Sequence, residues 1–252
     1  MRALVLTASI LVPPGTPGVA RADSSLRMED YTQALAFYTS FLGQGLDRVV
    51  FAENTGADLR SLRETTLKNG TASGVDFLTF DGNGFPPAYG RCYGEATILD
   101  EVMRHEWCSR LPEDTIYWKS TGRYRVKNLR KMMDTMPRGA EFYCDMRRRG
   151  ERRWADMRFM SWTRKGYNEF LAGCAQLLRE DTRNYRPGEE ALFDILEERF
   201  SASPLQHARS FTTEPFIDGI RAFDNKNWSS GRQKVVYYIR SLQRQFLRRV
   251  FF

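Results

Sequence analysis

The stretch Ala3-Leu4-Val5-Leu6-Thr7-Ala8-Ser9-Ile10-Leu11-Val12, answered downstream by Arg48-Val49-Val50-Phe51-Ala52, decides the fold class. Both runs are rich in Val, Leu and Ile, as expected of strands buried inside an α/β sheet. Between them Met28, Tyr31, Leu35, Tyr38 and Leu42 recur at helical spacing, and Gly43-Gln44-Gly45 ends the helix they define. Strand, helix, strand is a β-α-β unit. Its right-handed crossover builds a parallel sheet with ligands beyond the carboxyl ends of the strands. That places Thr7 to Gly15 and Glu53 to Asp58 at the edge of the expected site.

The alternation continues outward. Val75 to Phe80 predicts a third strand, Asp81-Gly82-Asn83-Gly84 a turn, and the segment from Tyr93 a helix with Ala96, Leu99 and Met103 inward. Thr115 to Trp118 predicts a fourth strand, leading through Lys119-Ser120-Thr121-Gly122-Arg123 into a helix with Val126, Leu129, Met132 or Met133, and Met136 on its apolar face, closed by Pro137. Strands are expected near Ala140 to Asp145 and Ala155 to Phe159, and helices over Lys165 to Leu178 and Glu189 to Phe200. The expected fold is therefore α/β, a mostly parallel central sheet flanked by helices. Residues 1–228 form one domain in this reading, and 229–252 a basic amphipathic segment. In that segment Val235, Ile239, Leu242, Phe246 and Val250 line one side, and Arg240, Arg244 and Arg248 repeat four apart on another. It reads either as a terminal helix docked with its basic face in solvent or as a helix lying on an anionic membrane.

At 252 residues and 42% hydrophobic, the chain can bury one large core. A net charge of +7 favours anionic partners without choosing among them. The excess is uneven: Arg147, Arg148, Arg149, Arg152 and Arg153 cluster, as do Arg232, Lys234, Arg240, Arg244, Arg248 and Arg249, the latter without any acid. Cys92, Cys108, Cys144 and Cys174 form no C-x-x-C pair and read as free thiols of a cytoplasmic protein. His105 and His207 are too few for a histidine-rich metal site. Arg2, the apolar run after it and Ala20-Arg21-Ala22 superficially match a cleaved leader, and sequons at Asn69 and Asn227 suit secretion. Thr7, Ser9 and the stop at Pro13-Pro14-Gly15 favour a first strand instead. No apolar run reaches the roughly 20 residues of a membrane span.

Two segments carry the strongest chemical signal. Ala88-Tyr89-Gly90-Arg91-Cys92-Tyr93-Gly94-Glu95 lies at a loop-to-helix junction, where glycines permit close backbone approach, helix amides bind anions and Arg91 offers a bidentate phosphate contact. Glu95 in the first helical turn also complements the helix dipole. Lys119-Ser120-Thr121-Gly122-Arg123-Tyr124 follows a strand end and is suited to a diphosphate. The chain has no Walker sequence, no G-x-G-x-x-G, no G-x-S-x-G, no H-E-x-x-H and no Asp-x-Asp. With no carboxylate pair to hold a metal, Arg91, Lys119 and Arg123 are the expected neutralising cations. Candidate general bases are Glu95, Asp156 and Asp194, although Asp156 and Arg158 sit two apart and can simply pair.

Over its first two thirds the chain resembles bacterial glycosyltransferases of cell-surface polysaccharide synthesis with a GT-A-like fold. The likeness rests on Leu6 to Ile10 with Pro13 to Pro17, Phe51 to Gly56, Phe80 to Asn83, Gly90 to Glu95 and Lys119 to Tyr124. It implies a nucleotide-sugar donor held by Thr7, Ala8, Ser9, Glu53, Asn54, Asp81, Asn83, Gly90, Arg91, Gly94, Lys119, Thr121, Gly122 and Arg123. Glu53 would accept from base or ribose. It further implies that Thr121-Gly122-Arg123-Tyr124 stands where related enzymes place metal-binding acids.

The leading functional expectation is glycosyl transfer to a surface polysaccharide or its lipid-linked precursor, without a resident cofactor, by an enzyme that can sit at the inner face of the membrane through 232–252. A non-catalytic nucleic-acid or polyanion-binding protein, stacking bases on Trp154, Trp162 or Tyr167, is one alternative. Another nucleotide-dependent transferase, such as a nucleotidyltransferase with a metal-binding carboxylate pair, is the other.

Overall fold

A computed structural model describes residues 1–13, 16, 18–180 and 186–251, with side chains described as far as residue 246. Pro14, Gly15 and Pro17 of the expected donor loop, and the side chains of Arg248, Arg249 and Val250, lie outside the described residues. The elements run β1 (Arg2–Ala8), α1 (Ser24–Thr39), β2 (Arg48–Glu53), α2 (Arg60–Lys68), β3 (Val75–Thr79), α3 (Gly90–Arg104), α4 (Glu106–Ser109), β4 (Ile116–Thr121), β5 (Arg125–Val126), α5 (Leu129–Met133), β6 (Phe142–Tyr143), β7 (Met146–Arg149), β8 (Arg152–Ala155), β9 (Phe159–Trp162), α6 (Arg164–Phe170), α7 (Gly188–Ala202), β10 (His207–Ala208), β11 (Ile217–Asp218) and α8 (Gly231–Phe251).

Seven strands form the central sheet in the order β10-β6-β9-β4-β1-β2-β3. Pairings β1 to β2, β1 to β4, β2 to β3 and β6 to β10 are parallel, and only β9 runs antiparallel to its neighbours β4 and β6. Period-two alternation sorts the strand side chains between two cores. Ala3 and Val5 of β1 and Tyr117 of β4 join α3, α6 and α7 on one face. Leu4 and Leu6, with Trp118, join α1, α2 and α5 on the other. The expected α/β sheet flanked by helices is the observed fold.

Boundaries differ where side chains satisfy backbone. The first strand ends at Ala8, not Val12, because the Ser9 amide donates to the Tyr31 hydroxyl (2.9 Å) and the Ile10 amide to Glu53 (2.9 Å) instead of to a ladder. Helix α2 was not expected. Lys119 to Thr121 belong to β4 rather than to a loop, and the turn after them opens no helix; α5 begins only at Leu129. The expected helix over Lys165 to Leu178 breaks after Phe170, where Gly173 adopts φ 70°. Residues 146–155, including the arginine cluster, fold as the β7–β8 hairpin. The strand expected at Ala155 to Phe159 is instead interrupted: Ala155 ends β8, Phe159 begins β9, and 156–158 between them are a turn held by Asp156 accepting from the Arg158 amide at 2.9 Å. All four cysteines are buried and unpaired.

At the carboxyl end of β4, Gly122 donates to the Thr7 carbonyl at 2.9 Å, and a Cβ at this position would stand 2.7 Å from that oxygen. The two central strands therefore meet at a backbone contact with no room for a side chain. Gly122→Ala should destabilise the fold by about 1–3 kcal/mol, the usual range for overpacking. Urea unfolding checks this, and an unchanged midpoint would show that the contact is not tight.

Candidate active site

A cleft of about 530 Å³ opens beyond the carboxyl ends of β1 and β4. The same alternation that sorts the cores builds its floor. Thr7 of β1 is in register with Thr121 of β4, and Val5 with Lys119, so Thr7, Lys119 and Thr121 all face α3. There Glu95 receives them. Its Oε1 accepts from Thr7 Oγ1 (2.7 Å), Lys119 Nζ (2.5 Å) and Thr121 Oγ1 (2.9 Å). Lys119 has no exposure and also donates to the Met157 carbonyl. Three donors on one carboxylate oxygen fix the side chain and leave Oε2 without a hydrogen-bond partner among the described residues, on a side chain that is 20% exposed along the cleft.

One wall is cationic, with more guanidiniums than carboxylates. Arg27, on the buried stripe of α1, donates to the Ser9 and Arg21 carbonyls and to the Tyr31 hydroxyl, and Arg123 donates to the Ile220 carbonyl at 3.0 Å. Both are about 5% exposed. The nearby carboxylate, Asp30, is already held bidentately by Arg21 (2.9 and 3.0 Å) and lies 3.9 Å from Arg123. Three guanidiniums thus share one acid. Burial, then the Tyr31-opposed repulsion of Arg123, draws the Arg27 guanidinium below its ordinary pKa. The Arg123 Nε is buried with no hydrogen-bond partner among the described residues. Such a wall suits an anion.

Of the residues expected from sequence, Thr7, Ala8, Ser9, Asn83, Gly90, Arg91, Gly94, Glu95, Thr121, Arg123 and Asp156 line this one cleft. Helix α3 begins at Gly90, not Tyr93, which brings the Gly90-to-Glu95 segment to the cleft as its first two turns. Others have different work. Glu53 is fully buried and accepts from the amides of Ile10, Thr55 and Ala57 and the Thr55 hydroxyl, so it clamps two loops instead of reaching a nucleoside. Asn54 is buried and accepts from Ser9. Asp81 is exposed and, like Lys119 and Gly122, lies off the cleft lining. Asp194 stands outside it too, ion-paired with Arg153 and Arg186. Asp156 does face the cleft, but Arg158 takes both its oxygens.

The wall residues that sequence reasoning missed include Arg27, Phe85, Phe223 and Trp228. Arg27 had a signal: it sits one turn before Tyr31 on an otherwise apolar helix stripe. Phe223 and Trp228 had none, because they reach the cleft from the far end of the chain through the loop whose Ala222 carbonyl accepts from Ala20 and Arg21. The Arg158 guanidinium lies 4.4 Å over the Trp228 ring. Among the described residues, the metal-ligating atoms that gather are those of Cys92, Glu180 and Glu189, all within 4.8 Å of one another. They suit a hard diphosphate-bound cation poorly, since burial and the nearby glutamates raise the Cys92 thiol well above its usual range.

No protein-family model matches the chain, and no curated protein matches it either. Solved structures with some likeness include galactosyltransferase LgtC in complex with donor and acceptor sugar analogues, at 9% identity over 77% of this chain and 70% of that one, with a TM-score of 0.47. The inositol-1-phosphate CTP transferase of T. maritima gives 14% identity, 95% and 94% coverage and 0.46. A protein described as a nucleotide-diphospho-sugar transferase from Desulfovibrio desulfuricans G20 gives 9%, 97%, 97% and 0.43. Likeness at this level decides neither substrate nor reaction.

The Asp156–Arg158 pair makes a pH-dependent contribution. Burial alone would raise the Asp156 pKa, but the charge and hydrogen bonds of Arg158 outweigh it and hold the carboxyl at about 2. A depressed pKa stabilises the fold above the unfolded value near 3.8 and loses that contribution as pH falls through about 2. Asp156→Asn should therefore cost about 2 kcal/mol at pH 6, with the gap to wild type closing between pH 4 and 2. Urea midpoints across that range measure it; a gap independent of pH would rule out the ion pair as its source.

Proposed function

We propose that the protein is a glycosyltransferase that holds a nucleotide-sugar donor in this cleft and passes the sugar to a glycan, either a surface polysaccharide or a lipid-linked precursor. The observation that supports this is the wall where Arg21, Arg27 and Arg123 share Asp30 beside the floor carrying Glu95. A nucleoside diphosphate supplies the missing negative charge. Guanidiniums fixed before the reaction begins stabilise it further as charge develops on the leaving group. In this reading they do what a carboxylate-bound divalent cation does elsewhere, and no resident cofactor is needed.

Glu95 Oε2 is the acceptor-side group. As the acceptor oxygen bonds to the anomeric carbon, Oε2 takes the hydroxyl proton, the bond from that carbon to the diphosphate breaks, and the nucleoside diphosphate departs. Lys119, Thr7 and Thr121 position the carboxylate through Oε1. A general base so placed contributes about 10²- to 10⁴-fold. Arg91 and the first turn of α3 face the same space and suit the sugar or the outer phosphate.

Nucleotidyl transfer is the second reading, favoured by the Glu180 and Glu189 carboxylates that gather near the cleft, although the Cys92 thiol beside them suits a hard cation poorly. It yields pyrophosphate from a nucleoside triphosphate and a sugar phosphate, whereas glycosyl transfer releases a nucleoside diphosphate. A polyanion-binding role fits less well. Arg147 is spent on Asp145 and Glu214, and Arg153 on Asp194, so the arginine cluster is no continuous free stripe.

The test is a thermal-shift screen against UDP, GDP, CDP, CMP and their sugar conjugates, in EDTA and with added Mn²⁺, since a ligand of the native state raises the midpoint by mass action. A shift with one nucleotide that survives EDTA is expected. Arg27→Ala and Arg123→Ala should each weaken that binding by about tenfold or more, the value of a charge-assisted hydrogen bond. Glu95→Gln should bind the nucleotide normally and lose about 10²-fold or more in turnover with the donor so identified. Undiminished turnover in folded Glu95→Gln would remove Glu95 as the base, and pyrophosphate release would select the second reading.

A further inference from the structure

Helix α8 is docked inside out. Its inner face is polar: Arg244 donates to both oxygens of Asp145 (2.7 and 2.8 Å), to Glu214 (2.6 Å) and to the Phe211 carbonyl, and Arg240 lies 3.6 Å from Glu214. Tyr237 stacks on Phe216 with ring centres 4.5 Å apart. Tyr237, Arg240, Ser241 and Arg244 are therefore the side that meets the domain. Its outer face is apolar. Val235, Tyr238, Ile239, Leu242 and Phe246 recur at i, i+3, i+4, i+7 and i+11 and are 51–67% exposed. Sequence suggested a basic face turned to solvent or lipid; in the structure two of its arginines are the anchor and the apolar stripe is what is presented.

A contiguous apolar stripe on one helix, held outward by buried ion pairs, marks a surface that is covered in use. Charge selects the cover. The helix contains no acid, Arg232 and Lys234 flank the stripe in exposed positions, and Asp145 and Glu214, the acids beneath it, are consumed by Arg147 and Arg244. No helix of the described residues is long and apolar enough to cross a membrane. We propose that α8 lies in the interface plane of an anionic lipid bilayer, with Val235, Tyr238, Ile239, Leu242 and Phe246 inserted among the acyl chains and the basic residues beside them at the headgroups. An amphipathic helix with this division of faces binds at that depth, by apolar burial plus attraction to anionic lipid. The inference rests on α8 alone and stands whether or not the cleft transfers sugars.

The experiment is flotation of the purified chain with vesicles of phosphatidylcholine alone and of phosphatidylcholine with 30% phosphatidylglycerol, at low and high salt. The wild-type chain should float with the anionic vesicles at least tenfold more than with the neutral ones, and salt should weaken the binding. The double variant Leu242→Asp with Phe246→Asp should lose vesicle binding by at least tenfold while keeping the melting temperature and the nucleotide-induced shift, because both side chains are exposed. No wild-type binding, or equal binding by the variant, overturns the proposal; equal binding to neutral vesicles overturns the choice of anionic lipid. A dimer in solution that the double variant dissolves, without vesicle binding, would make the stripe a contact between copies and also overturn it.

Discussion

An ammonium group with no solvent exposure is expensive to bury, and Lys119 is such a group, set on the central strand of the sheet directly under the cleft. What makes it tolerable is a single carboxylate oxygen of Glu95, the Met157 carbonyl and the Thr121 hydroxyl. Those contacts tie β4 to the first turns of α3 and to the turn between β8 and β9, and the hydroxyls of Thr7 and Thr121 converge on the same oxygen. Buried ion pairs rarely beat apolar side chains of equal volume for stability. Placing one where two strands, a helix and a turn meet at the cleft floor serves orientation, since a carboxylate fixed through one oxygen can present the other in a set direction. Removing Lys119 would leave Glu95 Oε1 held by the two threonine hydroxyls alone and without its charged partner, so the site's geometry depends in part on a residue that lies off the cleft lining.

The cationic wall follows a complementary logic. Asp30 can neutralise one guanidinium fully, and Arg21 has claimed it with two hydrogen bonds. Arg27 and Arg123 must then be held by neutral partners: carbonyls of Ser9, Arg21 and Ile220, and the Tyr31 hydroxyl. Carbonyl dipoles orient a guanidinium but do not discharge it. In the proposed reading the wall is a preorganised anion site, and the fold bears the cost of keeping two like charges buried beside one shared acid. Asp156 and Arg158 show the opposite arrangement in the same cleft, a closed pair with no charge left over, which is why a carboxylate that faces the cleft is still a poor base.

How much of this was legible depended on whether the deciding partner was near in sequence. The β-α-β start was readable because hydrophobic periodicity is local. Arg123 was readable as a cleft residue because it follows directly on a strand end. Lys119 to Thr121 were misread as loop because their polarity imitates one; they are a strand whose polar side chains face Glu95 rather than water. Glu53 looked like a ligand at a strand end, but the donors it satisfies lie in a loop 43 residues earlier and in the turn that follows it. Asp194 reads as a candidate base on the expectation of a carboxylate near a strand end; it lies on α7, paired with Arg153 and Arg186 away from the cleft. Phe223 and Trp228 come from a loop joined to residues 20 and 21, a contact no local pattern encodes.

The same limit explains α8. An amphipathic pattern fixes which residues share a face, not which face turns inward. For most surface helices the apolar face wins, because burying it is favourable by about 25 cal/mol per Å² while exposed arginines lose nothing in water. Here Asp145 and Glu214 reverse the outcome. Each is nearly buried, and without a cation each would carry a desolvation penalty that apolar burial of a few side chains cannot offset. Arg147 from the hairpin covers part of that need and Arg244 the rest, so the domain draws in the basic side of the helix and leaves the apolar side outward. The acids that set this orientation lie 99 and 30 residues from Arg244. A helix anchored by such a network keeps its apolar stripe at a fixed bearing to the domain, so whatever covers the stripe also sets which way the cleft faces.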